Sequence, residues 1–457
     1  MTRLIPAEFS WARPLRGGLA LCWLTWCAAG CGEASDPPAR NDSYETKLEI
    51  AGRWRALALR DDPDSLSAAQ RAAIERLEAI GYVSGSVELG EHPAVSRQAA
   101  DRRLPGVNLY CSGHAAEAEL IDIDGRGLHR WRKPLAEVWP DLARTHPAGK
   151  DDFWRRVRIF DNGDLLAIFG GVGILKLDKD SRVLWAVANQ AHHDLDLDGE
   201  GQIYLLTRKA HLVPRIHSSE PVLEDFVVVM GQNGEERRVI SLLEALERSR
   251  FARLLEKRSA DDYDLLHANS LTLLDDRFSD VHPALRSGNA LVSWREIDAF
   301  GVLDLETGII VEAWTGDFRA QHDPTMVDGG RILLFDNLGL GRQSRVVELD
   351  PRDGSTHWSF NGSDVEPFFS ETCGTAQRLS NGNTLVTESD GGRAIELTSS
   401  GEVVWEFYNP HRAGEKGQYI ATLFELQRLP VDFGKSWWAL TARASGESQA
   451  PADVDTR

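Results

Sequence analysis

The chain has 457 residues, of which 42% are hydrophobic, and a formal net charge of −19 at pH 7. A chain of this length and composition can bury a large core, which excludes an intrinsically disordered protein. The acidic balance argues against a nucleic-acid partner, because binding to a phosphate backbone needs a basic surface. Any anionic substrate must therefore be met by a locally positive site.

Residues 1–30 have the features of a signal peptide. Three arginines precede a short apolar run over residues 17–26, which is too short to span a bilayer as a stable helix. The run is followed by Ala28-Ala29-Gly30-Cys31, which resembles a bacterial lipobox. We expect Cys31 to be the lipidated first residue of a periplasmic, membrane-anchored protein. The alternative is an ordinary signal peptide that is cleaved nearby.

Residues 31–104 are expected to form a linker and an N-terminal helical segment. A capping-box pattern starts at Ser67, and apolar residues at helical spacing predict a helix from about Ala68 to Ile80. Its apolar face is expected to dock on the body of the protein, with a partner surface as the alternative. Residues 436–457 are expected to be a polar C-terminal tail.

A repeated unit fills residues 105–435. Each unit is an apolar strand, a polar turn and a second strand that ends in tryptophan, and a further glycine-led strand precedes each pair. Two successive spacings between tryptophans, 44 and 47 residues, fit the length of a four-stranded propeller blade. The repeated tryptophans are Trp131, Trp185, Trp314, Trp358 and Trp405.

The repeat predicts an all-β fold, a six-bladed propeller. One blade lacks its tryptophan and is followed by a polar helical insertion at about residues 242–257. Residues 419–426 are expected to close the ring, because an open propeller would leave sheet edges exposed. Cys111 and Cys373 would lie in the neighbouring first and sixth blades. They could form a disulfide in an oxidising compartment or be two small buried residues.

Three neighbouring blades carry a histidine at the same repeat position, namely His193, His267 and His322. Equivalent positions of a propeller face its central channel. One such histidine alone would be read as a core residue, but three together with Arg295 and Asn269 indicate a site for a small anion. His192 is the less favoured alternative to His193.

Six phrases, in this order, resemble the bacterial arylsulfotransferase family. They are His193-Asp194, residues 266–270 (LHANS), Ser293-Trp294-Arg295, Gln321-His322-Asp323, Phe335-Asp336-Asn337 and residues 377–384 (QRLSNGNT). The resemblance implies a periplasmic six-bladed propeller that moves a sulfuryl group from one phenol to another without a nucleotide donor. The chain departs from better-known members in its lipoprotein-like start and in lacking a closely spaced cysteine pair.

The same resemblance implies that His322 is the nucleophile that becomes sulfohistidine, with His193, His267, Asn269 and Arg295 around it. No cofactor and no metal ion are implied. The small-molecule partners would be an aryl sulfate donor and a phenolic acceptor.

The residue types suit this chemistry independently. Sulfuryl transfer should resemble phosphoryl transfer, in which preorganised donors stabilise charge on the equatorial oxygens. Arg295 can fork onto two oxygens and Asn269 can add a neutral donor. A phenol has a pKa of about 10, so its oxygen must gain a proton on leaving and lose one on accepting. His267 and His193 suit these tasks, whereas Asp323 would form an unstable mixed anhydride as a nucleophile.

Three other functions are compatible with parts of the pattern. The histidines and Asp323 could bind zinc or another transition metal, although an arginine in the same pocket would repel the ion. The tryptophan repeats also resemble quinone-cofactor dehydrogenases, but their eight blades need a longer chain and their adjacent cysteine pair is missing. The third alternative is a propeller that binds a ligand or an envelope protein without catalysis.

Overall fold

A computed structural model describes residues 66–146, 151–259, 263–363 and 366–438. The expected signal peptide and the lipidation site Cys31 lie outside these ranges. No helix within them is long and apolar enough to cross a membrane.

Six four-stranded antiparallel sheets form the blades of a propeller. From the inner strand outwards, blade one has Leu423–Leu429, Val107–Ser112, Glu117–Ile121 and Gly127–Arg132; blade two has Arg156–Ile159, Leu165–Phe169, Gly173–Leu177 and Val183–Val187; and blade three has Ala191–Leu197, Ile203–Leu212, Pro221–Met230 and Glu236–Ser241. Blade four has Ala268–Leu273, Asn289–Trp294, Ala299–Asp304 and Ile309–Trp314; blade five has His322–Val327, Arg331–Asp336, Arg345–Leu349 and Thr356–Phe360; and blade six has Thr375–Arg378, Thr384–Glu388, Arg393–Leu397 and Val403–Tyr408.

The C-terminal strand closes the ring. Leu423–Leu429 is the inner strand of blade one and pairs antiparallel with Val107–Ser112, so the first and last parts of the propeller share one sheet. The predicted six-bladed fold is therefore confirmed, and the described residues form six blades rather than the eight that a quinone-cofactor dehydrogenase would need. Tyr419–Ile420, which was expected to belong to the closing strand, instead pairs with Arg412–Ala413.

The repeated tryptophans join each blade to the next. In five blades the indole Nε1 donates to a backbone carbonyl of the following blade, at 2.9–3.0 Å. The pairs are Trp131 with Gly163, Trp185 with Gln232, Trp314 with Pro351, Trp358 with Ser399, and Trp405 with Ile123. Blade three lacks the tryptophan, and there Arg238 donates to the carbonyls of Leu305 and Glu306 in blade four. A donor at this position thus connects all six blades.

The described helices are short. The N-terminal helix, Ala68–Glu78, begins with the predicted capping box at Ser67. The insertion after blade three forms an α-helix, Leu242–Glu247, and a 3-10 helix, Ala252–Lys257. This α-helix is less polar than predicted, because its residues 242, 243, 245 and 246 are buried in the core. The remaining helical segments are Leu135–Val138, Leu142–Thr145 and Asp276–Phe278.

Both ends of the described chain pack on the propeller more closely than the sequence predicted. Val95–Gln98, in the expected linker, pairs with the outer strand of blade six as a fifth strand. In the expected polar tail, Trp437 is buried and donates to the carbonyl of Asp161 at 3.0 Å. Its ring also contacts Trp131 edge to face, so apolar burial holds this part of the tail on blades one and two.

Cys111 and Cys373 are both buried free thiols. They belong to the same cluster of buried apolar residues, in which they behave as small core residues. The structure therefore agrees with the interpretation that the two cysteines are small buried residues, and not with a disulfide between them.

The tryptophan contacts predict unequal losses of stability. Trp131 is fully buried, so Trp131→Phe leaves a void and an unpaired carbonyl at Gly163. We expect it to lower the free energy of unfolding by roughly 2–4 kcal/mol. Trp358→Phe removes the same contact where the side chain is half-buried and the hydrogen bond is exposed, and should cost about 1 kcal/mol or less. Denaturant unfolding of both variants measures this, and equal losses would contradict it.

Candidate active site

A closed ring of contacts joins the six inner strands. Each inner strand uses a polar side chain to bond the inner strand of the next blade, or the residue just before it, at 2.6–3.2 Å. In blade order the contacts are Glu425 with Arg156, Arg156 with Asp194, Asp194 with the amide of Leu271, Asn269 with the carbonyl of Gln321, Asp323 with the amide of Ala376, and Gln377 with the amide of Arg428. This ring fixes the relative positions of the inner strands.

The three predicted histidines lie at the starts of consecutive inner strands. Blades three, four and five have a register shift between the inner and second strands at this point, as does blade one, whereas blades two and six have none. His193 and His267 also have positive φ angles, 50° and 51°. Bulges and left-handed backbone re-aim side chains and are found near functional sites. Here they turn the imidazoles towards one cavity.

That cavity has a volume of about 200 Å³. Three of the predicted site residues, His193, His267 and His322, line it together with a fourth, Arg295. Its other lining residues are Ile80, Gly81, Tyr82, Val83, Arg208, Thr372, Cys373 and Phe424. A larger cavity of about 500 Å³ lies beside the N-terminal helix, but none of the predicted site residues lines it.

His322 is a neutral imidazole with a defined tautomer. Its Nδ1 lies 2.8 Å from Asn337 Oδ1 and 3.0 Å from the carbonyl oxygen of Ala320. The Asn337 amide nitrogen already donates to the carbonyls of Ser370 and Cys373, so its oxygen faces the imidazole. Nδ1 therefore carries the proton and Nε2 the lone pair. Burial lowers the pKa of His322 well below its usual range, and nearby positive charge adds to this.

His267 has the opposite electrostatic character. Burial works to lower its pKa, but the carboxylate of Asp264, whose Oδ2 lies 2.6 Å from Nδ1, outweighs burial and raises the pKa above its usual value. The carboxyl group of Asp264 has a lowered pKa, because the charge of His267 outweighs its own burial. The cavity thus combines a neutral His322 with a His267 that favours the imidazolium form.

His193, rather than His192, faces the cavity. Its Nδ1 lies 2.9 Å from the Tyr82 hydroxyl and 2.6 Å from Nδ1 of His192. His192 is buried behind it, with Nε2 at 3.3 Å from Asp225. Burial, followed by the charges of His192 and His267, lowers the pKa of His193 well below its usual range. The ring is therefore a neutral donor and acceptor.

Asn269 does not line the cavity. Its buried side chain donates to the carbonyl of Gln321, the residue before His322, at 2.8 Å. This contact positions the backbone that carries His322. Arg295 does line the cavity, and one of its terminal nitrogens contacts the carboxylate of Glu296.

A model of the arylsulfotransferase (ASST) family matches residues 156–410, more than half of the chain. The chain belongs to the arylsulfotransferase family. This confirms the resemblance of the six phrases and indicates a sulfotransferase whose donor and acceptor are small aryl molecules. Comparison with curated proteins found no significant match.

Several solved structures are similar to this arylsulfotransferase-family chain. A protein of unknown function from Bacteroides caccae has 13% identity and a TM-score of 0.47, over 71% of this chain and 98% of that one. A streptogramin B lyase has 11% identity and a TM-score of 0.40, over 75% and 96%. The Cps50 (Swd1) β-propeller domain of Myceliophteria thermophila has 12% identity and a TM-score of 0.41, over 70% and 100%.

Asp323 lies on the other side of the inner ring from the arylsulfotransferase-family histidines. It has a positive φ of 56° and lines a separate channel cavity of about 330 Å³ with Arg156, Asp194 and Glu425. Burial raises the pKa of its carboxyl group to about 7. Asp323 therefore does not join the three histidines in a metal site or as a rival nucleophile.

One group of side chains in the described ranges has several potential metal ligands close together, and it lies elsewhere. It consists of His114, Glu117, Glu119 and His411, with ligand atoms within 4.8 Å of one another. The two imidazoles are stacked in parallel, with centroids 3.5 Å apart. Imidazoles bound to one zinc ion diverge from it, so this arrangement is better explained by the histidine–glutamate hydrogen bonds that it contains.

Four residues whose polar groups affect the cavity histidines or lie beside them, Tyr82, Arg155, Asp264 and Asn337, were not among the predicted site residues. Asp264 and Asn337 set the protonation of His267 and His322, although both stand in or beside the quoted phrases. Tyr82 comes from the expected linker. Arg155 directly precedes the inner strand of blade two, is 1% exposed, and has Nε and Nη1 without hydrogen-bond partners in the described ranges.

Removing the carboxylate of Asp264 should change how His267 titrates. In Asp264→Asn, burial is opposed by the weaker effect of Asp225 alone among carboxylates, so we expect the pKa of His267 to fall below its value in the wild type. NMR titration of labelled histidine measures this. Asp280→Asn, at an exposed aspartate, should leave the His267 titration unchanged, and an unchanged titration in Asp264→Asn would contradict the assignment.

The same ion pair predicts a pH window for stability. Because the pKa of His267 is raised in the folded state, its protonation stabilises the fold. This stabilisation is fully present below the ordinary pKa of 6.5 and is lost as pH rises through the folded-state pKa. Because the pKa of Asp264 is lowered in the folded state, its ionised carboxylate also stabilises the fold. This stabilisation is fully present above the ordinary pKa of 3.8 and is lost as pH falls through the folded-state pKa. The difference in unfolding free energy between wild type and Asp264→Asn should therefore be largest between these two values.

Proposed function

We propose that this protein transfers a sulfuryl group from an aryl sulfate ester to a phenolic acceptor, through a sulfohistidine intermediate at His322. The main support is the protonation state of that residue. Its Nδ1 donates to Asn337 and Ala320, so the nucleophilic lone pair is on Nε2. A neutral imidazole in a cavity with the cationic side chains of Arg208, His267 and Arg295 suits attack on an anionic ester.

In the first half-reaction, Nε2 of His322 attacks sulfur and the bond between sulfur and the aryl oxygen breaks. The leaving phenolate takes a proton from the His267 imidazolium, which supplies general acid catalysis. Arg295 holds the sulfuryl oxygens, whose charge is spread in the transition state. The phenol then leaves the cavity, and the sulfuryl group remains on the imidazole as a covalent intermediate.

In the second half-reaction, the oxygen of the accepting phenol attacks sulfur and the sulfur–nitrogen bond breaks. The neutral His267 left by the first step accepts the phenolic proton and returns to its cationic form. His193, whose lowered pKa keeps it neutral, can hydrogen-bond to the acceptor without repelling the cationic groups around it. Protons and charge therefore balance over one complete turnover.

A non-catalytic binding propeller is the rival function. A binding site for an anion needs positive charge, but it does not need a tautomer-fixed neutral histidine. Turnover and covalent labelling distinguish the two functions, because a binding protein would retain its ligand when His322 is replaced.

Replacement of His322 should abolish transfer while leaving the fold intact. We expect His322→Ala to lose phenol release from an aryl sulfate and to carry no covalent sulfuryl group. The wild type should give parallel, ping-pong initial-rate lines, and mass spectrometry after brief exposure to donor should find the group on the His322 peptide. His357→Ala, at an exposed histidine, is the control. Intersecting lines with near-normal activity in His322→Ala would refute the mechanism.

Arg295 should contribute mainly to the transition state. Arg295→Ala removes one preorganised anion donor and should lower kcat by roughly 10²-fold or more. Arg295→Lys keeps the charge but loses the planar fork, so we expect only partial activity. Arg277→Ala is a matched control, because its exposed guanidinium bonds only Asp275. Steady-state kinetics of the three variants would count against this role if Arg295→Ala changed KM alone.

A further inference from the structure

A phenol of the protein itself lies in the cavity. Tyr82, the one tyrosine among the lining residues, has its hydroxyl 2.9 Å from Nδ1 of His193. The hydroxyl oxygen also accepts the backbone N–H of His193 at 3.2 Å. Nδ1 of His193 also lies 2.6 Å from Nδ1 of His192, so the hydroxyl donates to it in the tautomer in which both histidines carry their protons on Nε2. The phenol therefore has the contact with a neutral base that an accepting phenol would need.

The fold holds this tyrosine in place. A Cβ atom on Gly170 would lie 2.2 Å from the Tyr82 ring, so the ring occupies a space that only glycine leaves open. On either side, the carbonyl of Ile80 accepts from Arg208, and the carbonyl of Ser84 accepts from the amide of Thr422 at 2.9 Å. Tyr82 is thus a fixed part of the cavity wall.

A buried cation that has no carboxylate partner among the described residues lies against the tyrosine. The guanidinium carbon of Arg155 is 5.0 Å from the Tyr82 ring centroid and 5.1 Å from that of Phe424, and two of its nitrogens have no hydrogen-bond partner in the described ranges. The next residue, Arg156, contacts both Asp194 and Glu425. A buried charge is costly without a counterion, so Arg155 is suited to an anion that forms near Tyr82.

The size of the cavity also fits an occupied phenol site. At about 200 Å³ it is smaller than the roughly 300–1,000 Å³ of most small-molecule sites. The Tyr82 ring fills space that an aromatic acceptor would otherwise take.

From these observations we propose that Tyr82 is an internal sulfuryl acceptor and becomes O-sulfotyrosine. The inference rests on the proposed function, because the sulfuryl group comes from sulfohistidine at His322. The bond between sulfur and Nε2 of His322 breaks, a bond from sulfur to the Tyr82 oxygen forms, and the phenolic proton moves to Nδ1 of His193. No oxidant or further reactant is needed.

Two physical effects favour this transfer. Tyr82 and His322 line the same small cavity, so the accepting phenol is held near the sulfohistidine. In well-aligned cases such placement is equivalent to an acceptor concentration of about 10⁵ M or more. The product is an anion on Tyr82, against whose ring the buried guanidinium of Arg155 lies. Modification would also add bulk and negative charge where an aryl sulfate must bind, so it should slow further turnover.

Peptide mapping of the full chain tests the proposal. We would expose wild type to 4-nitrophenyl sulfate without an added acceptor and locate sulfuryl groups by mass spectrometry over time. The expected result is early modification of the His322 peptide followed by stable modification of the Tyr82 peptide, with release of up to two equivalents of nitrophenol. In His322→Ala, neither peptide should be modified.

Tyr82→Phe should keep the His322 adduct and lose the second equivalent of nitrophenol. Tyr204→Phe, at a half-buried tyrosine that bonds Gln202 away from the cavity, should behave as wild type. Modification of His322 alone in the wild type would overturn the Tyr82 proposal and leave the proposed function standing. Modification of neither peptide would overturn both, and modification of Tyr82 in His322→Ala would overturn the route through sulfohistidine. The wild-type map decides the matter even if a variant fails to fold.

Discussion

The closed ring of side-chain contacts between inner strands is the constraint on which the candidate site depends. Two of its members, Asp194 and Asp323, directly follow His193 and His322 in the sequence. Each carboxylate bonds a backbone amide of the next blade, so each fixes its strand at the residue that follows a histidine. Asn269 bonds the backbone just before His322. Catalytic groups must be held to within fractions of an ångström, and three separate blades can achieve this only if they are tied together.

The three cavity histidines show how environment gives one residue type different chemistry. All three are desolvated, which by itself favours the neutral ring. Among the three, His267 has a carboxylate against its ring, and its pKa is therefore raised. The pKa values of His193 and His322 are lowered. The cationic ring in turn helps to keep its two neighbours neutral. Such separation of pKa values between nearby groups is how active sites obtain an acid and a nucleophile at one pH.

Most of the fold and about half of the candidate site could be predicted from the sequence. Tryptophans at even spacing from a turn glycine revealed the blades because strand periodicity and repeat length are local properties. His193, His267 and His322 could be found because they recur at equivalent blade positions, and Arg295 because it ends the phrase Ser293-Trp294-Arg295. Asn269 was assigned to the anion, but its contact is with the next blade, a property of strand register that no local pattern contains.

The residues that were missed depend on contacts between distant parts of the chain. Asp264 and Asn337 act through the protonation of a neighbour, which sequence spacing does not report. Arg155 is followed by two arginines of the same strand, Arg156 and Arg158. The sequence does not distinguish it from Arg156, whereas the structure shows that Arg156 pairs with Asp194 and Glu425. Polar composition and prolines suggested a linker before residue 104, yet Val95–Gln98 completes a sheet and Tyr82 enters the cavity.

The family match begins at residue 156, so it does not include the segment that covers the cavity. A propeller supplies equivalent inner positions from every blade, but it leaves the channel mouth open to whatever else the chain places there. Here residues 80–83 line that mouth and bring a phenol to a neutral histidine. The blades therefore carry the cavity histidines, while the N-terminal segment lines the rest of the cavity and sets its volume. Under the proposed function, differences in that segment would change acceptor choice without any change in the histidines.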